Sequence, residues 1–315
     1  MNKRGLRLSL VLSAPLWMWA STNSAAQQAS TAEGVAAHMV VTVEAHHGSN
    51  VPVINREDVM VYEGRERDKV IDWVPAQGDH AGLELFVLLD DGSTASLGTQ
   101  LDEIRKFINS QPASTKIGVA YMQDGVARIE QNLTTDHALA AKALRLPMGM
   151  SGANGSPYFS LSDLIKKWPE SNNRREVFMA TDGIDRYYGS ADLLDPYLAA
   201  AIEDAQRAGV LVYAIYMPGV GHYSHSYWRS YWGQLYLAQL ADETGAESYY
   251  IGFTGAPVAF APFLDDAANR WNHQYLLTFL AKPQKKAGLQ PVKVRTEVPN
   301  AELVSADKVY VPATR

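Results

Sequence analysis

LELFVLLDDGSTAS, residues 83–96, decides the fold. A short, near-continuous apolar run that stops abruptly at Asp90-Asp91-Gly92-Ser93-Thr94 is the mark of a strand buried on both faces of a parallel sheet. A helical stretch follows at Leu97–Ser110, with Leu101, Ile104, Phe107 and Ile108 on one face. Working outward, the alternation continues. KIGVAYM (116–122), REVFMAT (175–181), VLVYAIY (210–216) and SYYIGF (248–253) read as strands, and ARIEQNL (127–133) as a short edge strand. Helices are predicted over His137–Leu146, Leu161–Trp168, Asp195–Ala208, Gln234–Thr244 and Pro257–Trp271. Strands alternating with helices over about 190 residues predict an α/β domain at residues 82–272. It should be a doubly wound, mostly parallel sheet with helices on both faces.

The flanks are different. Residues 38–80 contain HMVVTVEA and further short strands around an acidic-glycine turn at Glu63-Gly64. Residues 273–315 revert to β with QYLLTFLA, PVKVRTEV and KVYVP. Neither flank has enough strands for a stable sheet of its own, so the two are expected to pair into one β-rich region. Residues 27–37, small and polar, read as a flexible stretch.

The first 26 residues read as a secretory signal. Lys3, Arg4 and Arg7 precede an apolar run from Leu8 to Ala20, and Ser24-Ala25-Ala26 supplies the small residues that signal peptidase requires. The run is shorter than the roughly 20 residues a membrane span needs. Cleavage after Ala26 would leave 289 of the 315 residues and, with three positive charges gone, take the net charge from −6 to −9. An exported chain with no cysteine carries no disulfide, no thiolate metal site and no lipid-bearing Cys. A net acidic chain with no basic run is not built to bind nucleic acid. The expected location is the periplasm or the medium, with no membrane span after cleavage.

In an open parallel sheet, chemistry collects where loops leave the carboxyl ends of the strands. Three such exits here carry oxygen ligands: DDGSTAS (90–96), GANGSP (152–157) and ATDGID (180–185). Together they resemble the three metal-site loops of the von Willebrand factor A family. The chain is similar in detail to the bacterial secreted proteins related to it. The supporting stretches are VVTVEA with REDVMVYEGRERDKVIDW, LFVLLDDGSTAS, SPYFSLSDLIKKWP, RREVFMATDGID, and HQYLLTFLAKP with VKVRTEV. The resemblance implies a Mg²⁺ or Mn²⁺ held by carboxylate, hydroxyl and water oxygens, with a position open to a partner's carboxylate.

Carried over residue by residue, Asp90 takes the first carboxylate position and Asp182 the distant one. Thr94 takes the second hydroxyl position, and Ser156, or else Asn154, that of the second loop. Gly92 stands where the first hydroxyl belongs, so the expected site is degenerate. A shift by one residue offers Asp91 and Ser93, but then places Ala95 at the last position. The two carboxylates are equally what helix caps require.

PGVGHYSHSYWRSYWG (218–233) is far longer than an ordinary connection and rich in aromatics, which disordered segments lack. His222, Tyr223, Tyr227, Trp228, Arg229, Tyr231 and Trp232, with Tyr187 and Tyr188 on the neighbouring exit, are candidate partner-binding residues. Aromatics and arginine are enriched in binding hot spots. A lid packed down on the domain is the other reading. His222 and His225 lack the further ligands of a metal site. No phosphate loop or nucleophile elbow is present in the chain, and no nucleophile–base pair is visible. The expectation is a binding module for adhesion, protein–protein interaction or assembly, engaging a protein through an acidic side chain. A metal-dependent hydrolase using Asp90 and Asp182, and a scaffold with a vestigial metal site, are the alternatives.

Overall fold

The computed structural model describes residues 34–93, 97–149, 155–189, 195–219, 226–249 and 259–313. The chain opens with β1 (Val35–Ala45), β2 (Met60–Glu63) and β3 (Glu66–Pro75). The α/β region follows: β4 (Leu83–Asp90), α1 (Leu97–Ser110), β5 (Thr115–Gln123), β6 (Val126–Thr134), α2 (His137–Lys142), α3 (Pro157–Lys167), β7 (Arg174–Thr181), α4 (Pro196–Ala208), β8 (Val210–Tyr216), α5 (Tyr227–Thr244), β9 (Ser248–Tyr249) and α6 (Ala261–Asn272). The tail holds β10 (Gln274–Ala281), β11 (Gly288–Pro291), β12 (Lys293–Arg295), β13 (Ala301–Ser305) and β14 (Lys308–Val311). Among these residues no helix is long and apolar enough to cross a membrane. The expected signal segment lies outside them.

The central sheet has the order β6-β5-β4-β7-β8-β9, parallel except at β6, which runs antiparallel to β5. Every residue of β4 is buried, and the apolar run divides by alternation into two cores. Leu85, Val87 and Leu89 pack with Leu101 and Ile104 of α1 and Leu264 of α6. Phe86 and Leu88 pack on the other face with Leu161 of α3, Ile202 of α4 and Leu240 of α5. The strand order reverses between β4 and β7, and the loops after these two strands diverge there to leave a crevice. Asp90 and Asp182 flank that crevice.

Among the described residues a second sheet has the order β12-β2-β3-β10-β1-β13, and β11 pairs with β14. Head and tail strands thus interleave around Val41, Val61, Leu277 and Phe279. Residues 35–37, expected to be flexible, are instead part of β1, where Val35 pairs with Ala281. The remaining differences lie at helix ends. Pro157, pre-set for the first helical position, starts α3 earlier than its apolar face suggests. Helix α2 ends at Lys142, and α6 begins at Ala261. Helix α5 begins at Tyr227, so Tyr227–Trp232 of the expected 218–233 loop are helical, and residues 220–225 lie outside the described residues.

Two arginines tie the two sheets together. Arg174, at the start of β7, donates to Trp271 O at 3.0 Å, to Ala81 O at 3.1 Å and to Gln274 Oε1, joining the entries to β4 and β10. Arg270 of α6 pairs with Glu44 of β1, with Glu247 at 3.0 Å and with Asp266 at 2.9 Å. Glu176 is fully buried on the same face of β7 as Phe178 and makes no hydrogen bond of ordinary length, although Trp271 and Gln274 lie near enough to favour its ionised form. Burial pushes its carboxyl up to about 8, against the nearby Arg174.

The native state therefore holds a proton on Glu176, between about pH 4.5 and 8, that the unfolded chain has released. Stability falls as pH rises through that window, by up to about 1.4 kcal/mol per pH unit. Above pH 7 the other strongly raised carboxyls, Asp68 and Asp90 at about 6, have finished titrating. Urea unfolding between pH 7 and 8 should show the decline in the wild type and a flatter profile in Glu176→Gln. Equal slopes would refute the assignment.

Candidate functional site

The β4–β7 pairing sets Leu89 beside Ala180, so the residues just beyond, Asp90 and Thr181-Asp182, leave the sheet side by side. Asp90 Oδ2 accepts from Thr181 Oγ at 2.6 Å and Oδ1 from the Gly92 amide at 2.8 Å. Burial and then the neighbouring Asp182 carboxylate raise the Asp90 carboxyl, against the Thr181 hydroxyl, Arg186 and the Gly92 amide, to about 6. Asp182 Oδ1 accepts from the Ile184 amide at 3.0 Å. Its two oxygens also face the Arg186 guanidinium, Oδ2 at 2.5 Å and Oδ1 at 3.3 Å. The Arg186 amide donates to Gly155 O at 3.1 Å, fastening the third loop to the second.

Ser156 caps α3 with its backbone, and its hydroxyl donates to Asp185 Oδ2 at 2.6 Å. Asp185 Oδ1 accepts from the amides of Tyr187 and Tyr188, both at 2.8 Å, and so shapes the turn that carries them. Asp91 belongs to a different network. It receives both Arg145 nitrogens, at 2.7 and 3.0 Å, with Gln123 Nε2 at 2.5 Å and the Met148 amide at 2.9 Å. Although burial works against ionisation, these donors, Arg145 first, hold its carboxyl below the usual range. Ser93 is buried and its hydroxyl has no hydrogen-bond partner. The one-residue shift of register therefore offers one carboxylate committed elsewhere.

Of the four expected metal ligands, Asp90 and Ser156 line one small cleft with Arg186, and Asp182 is bound to that arginine. Thr94 lies outside the described residues, as do Asn154, His222 and Tyr223. The cleft holds about 30 Å³, room for about one water. Mg²⁺ gives up its waters reluctantly and keeps several of them. Among the described residues no three carboxylate or imidazole side chains are grouped so as to hold a metal ion. Among the described residues the donor set does not fit a divalent ion: Asp90, Asp182 and Ser156 are hydrogen-bonded within the protein, and Gly92 offers no side-chain oxygen.

The aromatic residues form two ordered groups. Tyr187 packs edge-on against Phe159 at 5.1 Å and Tyr197 at 5.4 Å, and Tyr188 meets Tyr197 at 6.1 Å. At the start of α5, Trp228 stacks on Tyr231 at 6.2 Å and meets Trp232 at 5.7 Å; Trp232 continues to Tyr236. Tyr187, Tyr227 and Trp228 are 54%, 65% and 57% exposed. Arg229 is half-buried in the first turn, where its amide donates to the capping Ser226.

Two residues outside the expected set hold this helix in place. Gly183 has φ +66°, and a Cβ on Gly233 would lie 2.1 Å from Asp182 O. Helix α5 therefore lies directly on the Asp182–Gly183 backbone, an approach only glycine permits. Tyr158 adds a hydrogen bond to Gly183 O at 2.7 Å. The paired glycines carry no periodicity to reveal them, and Arg186 four residues after Asp182 was the readable signal.

No family model matches the chain, and no curated relative matches it. Among solved structures it is similar to an aerotolerance-related membrane protein from Bacteroides fragilis NCTC 9343, at 14% identity over 61% of this chain and 99% of that one, with a TM-score of 0.45. It is also similar to BatB, a conserved hypothetical protein from Bacteroides thetaiotaomicron, at 18% identity over 44% and 68%, with a TM-score of 0.36. A third is the SpRpn10 VWA domain, at 13% over 60% and 96%, with a TM-score of 0.38. The sheet order, parallel except at β6, agrees with the fold that the resemblance to the von Willebrand factor A family implies.

Gly233→Ala should force α5 off the Asp182 loop and lower stability by about 1–3 kcal/mol, the usual range for overpacking. Chemical denaturation would measure it. A variant as stable as the wild type would mean that α5 is free to shift.

Proposed function

We propose that this chain is an exported binding protein that recognises a protein partner at the carboxyl edge of its α/β sheet, and that it is not an enzyme. The observation that carries the reading is the exposure of Tyr187, Tyr227 and Trp228 on ordered supports. Side chains already fixed by neighbours lose little entropy when a partner covers them, and buried aromatics dominate interface energetics. Tyr187 is fixed by the Asp185 turn and the Phe159–Tyr197 pair, and Trp228 by Tyr231 and Trp232. Both groups belong to segments that meet where Gly233 touches Asp182. Adhesion and assembly are the roles such a surface suits.

Catalysis has less support. Among the described residues Asp90 and Asp182 accept hydrogen bonds from within the protein, and no histidine lines the cleft. The hydroxyl beside Asp90, that of Thr181, is fully buried and so is not presented to a substrate.

Photo-crosslinking residues placed at Tyr187 or Trp228 in the native host should give a discrete adduct. The same residue at Val53, 77% exposed on the β layer, should not. With the partner identified, Tyr187→Ala and Trp228→Ala should each weaken binding at least tenfold, about 1.4 kcal/mol. Adducts from Val53 alone would point to the other sheet.

Export rests on the basic start, the short apolar run and the Ser24-Ala25-Ala26 exit. Mass spectrometry of protein from a native-type host should find a mature terminus at Gln27. Intact Met1 in the membrane fraction would overturn it.

A further inference from the structure

At the crevice between β4 and β7 two buried carboxylates converge with one guanidinium. Asp182 is fully buried, Arg186 is 8% exposed, and the two form a two-pronged ion pair. Arg186 lines the same cleft as Asp90 and Ser156, so its charge acts on both carboxylates. Its backbone holds the second loop through Gly155, and Ser156 of that loop reaches back to Asp185 beside it. One five-residue segment, Asp182–Arg186, thus carries a carboxylate, the cation that neutralises it and the bonds that draw the second loop in.

We propose that Arg186 is a built-in cation that takes the place of a divalent ion at this edge, so that the three loops are held together without metal and binding there is insensitive to chelators. Two carboxylates gathered out of water need a positive charge between them. A guanidinium supplies it permanently, because it does not deprotonate in proteins, and its fork matches a carboxylate in two-pronged fashion. It differs from Mg²⁺ in one decisive respect: it has no coordination position for an incoming oxygen. A partner's carboxylate is therefore not the anchor at this edge. The inference stands on the ion pair alone and holds whichever partner the aromatic groups engage.

The test is Mn²⁺ and Mg²⁺ titration by calorimetry, with thermal unfolding in EDTA and in millimolar Mn²⁺. The wild type should give no binding heat, and the same Tm in both buffers. Arg186→Ser should lower Tm in EDTA by roughly 5–10 °C, as expected when one partner of a buried pair is removed. Mn²⁺ should recover part of that loss, and the recovery should vanish in Arg186→Ser/Asp182→Asn. Arg186→Lys keeps a charge and should show a smaller fall with no response to Mn²⁺. Should Arg186→Ser fail to fold, the wild-type titration and the lysine variant decide alone. Stoichiometric Mn²⁺ binding by the wild type that is lost in Asp182→Asn would overturn the proposal. So would an Arg186→Ser protein with wild-type Tm in EDTA.

Discussion

The pairing of β4 with β7 creates the electrostatic problem that the rest of the carboxyl edge answers. Parallel register delivers Asp90 and Asp182 from adjacent strands into one buried crevice, where each charge raises the cost of the other. Every nearby polar contact reduces that cost. The Thr181 hydroxyl bridges from Asp90 toward the Gly183 amide, and the Ile184 amide turns back onto Asp182. Arg186 brings the only full positive charge among the described residues lining the cleft. The arginine returns to its own aspartate at the start of the loop, beside the Asp185 turn from which Tyr187 and Tyr188 emerge.

A comparable economy governs the junction with the β layer. Arg174 and Arg270 each gather three partners from separate stretches of chain, two of them backbone carbonyls in the case of Arg174. Planar, permanently charged side chains suit such junctions, since one group satisfies several acceptors at once. Glu176 is the exception. It is buried beside Arg174 without a hydrogen bond of ordinary length, so β7 holds a buried carboxyl near its start as well as at its end.

What could be read from the sequence follows from which forces are local. The run 83–89 announces a doubly buried strand because burial on two faces leaves its trace in consecutive residues. The same is true of 175–181 and 210–216, and the loops after the first two named Asp90 and Asp182 as site residues. Helix ends were less legible, because Pro157 and Ser226 set them through caps and not through apolar periodicity. The onset of α5 at Tyr227 was hidden by aromatics that read equally well as loop or helix. The partners of the site residues left almost no trace. Nothing in Ser156 says that its hydroxyl turns to Asp185, and nothing in Gly92 distinguishes a lost ligand from an amide donor to Asp90. The Ser156 contact spans 29 positions and that of Thr181 with Asp90 spans 91, so neither leaves a local pattern to read.

Exchanging a divalent ion for a tethered guanidinium changes how the edge recognises anything. A metal with an open position offers one strong, directional contact, and a partner needs little more than a carboxylate in the right place. A guanidinium 8% exposed and engaged with Asp182 offers no such contact. Affinity must then come from area and shape, which is what clustered, pre-ordered aromatics provide. The glycine contact between α5 and the Asp182 loop gives these two features one origin. The backbone that places Arg186 against Asp182 is the backbone on which the aromatic helix rests. Neutralising the crevice internally thus leaves the exposed rim free to specialise in partner contact.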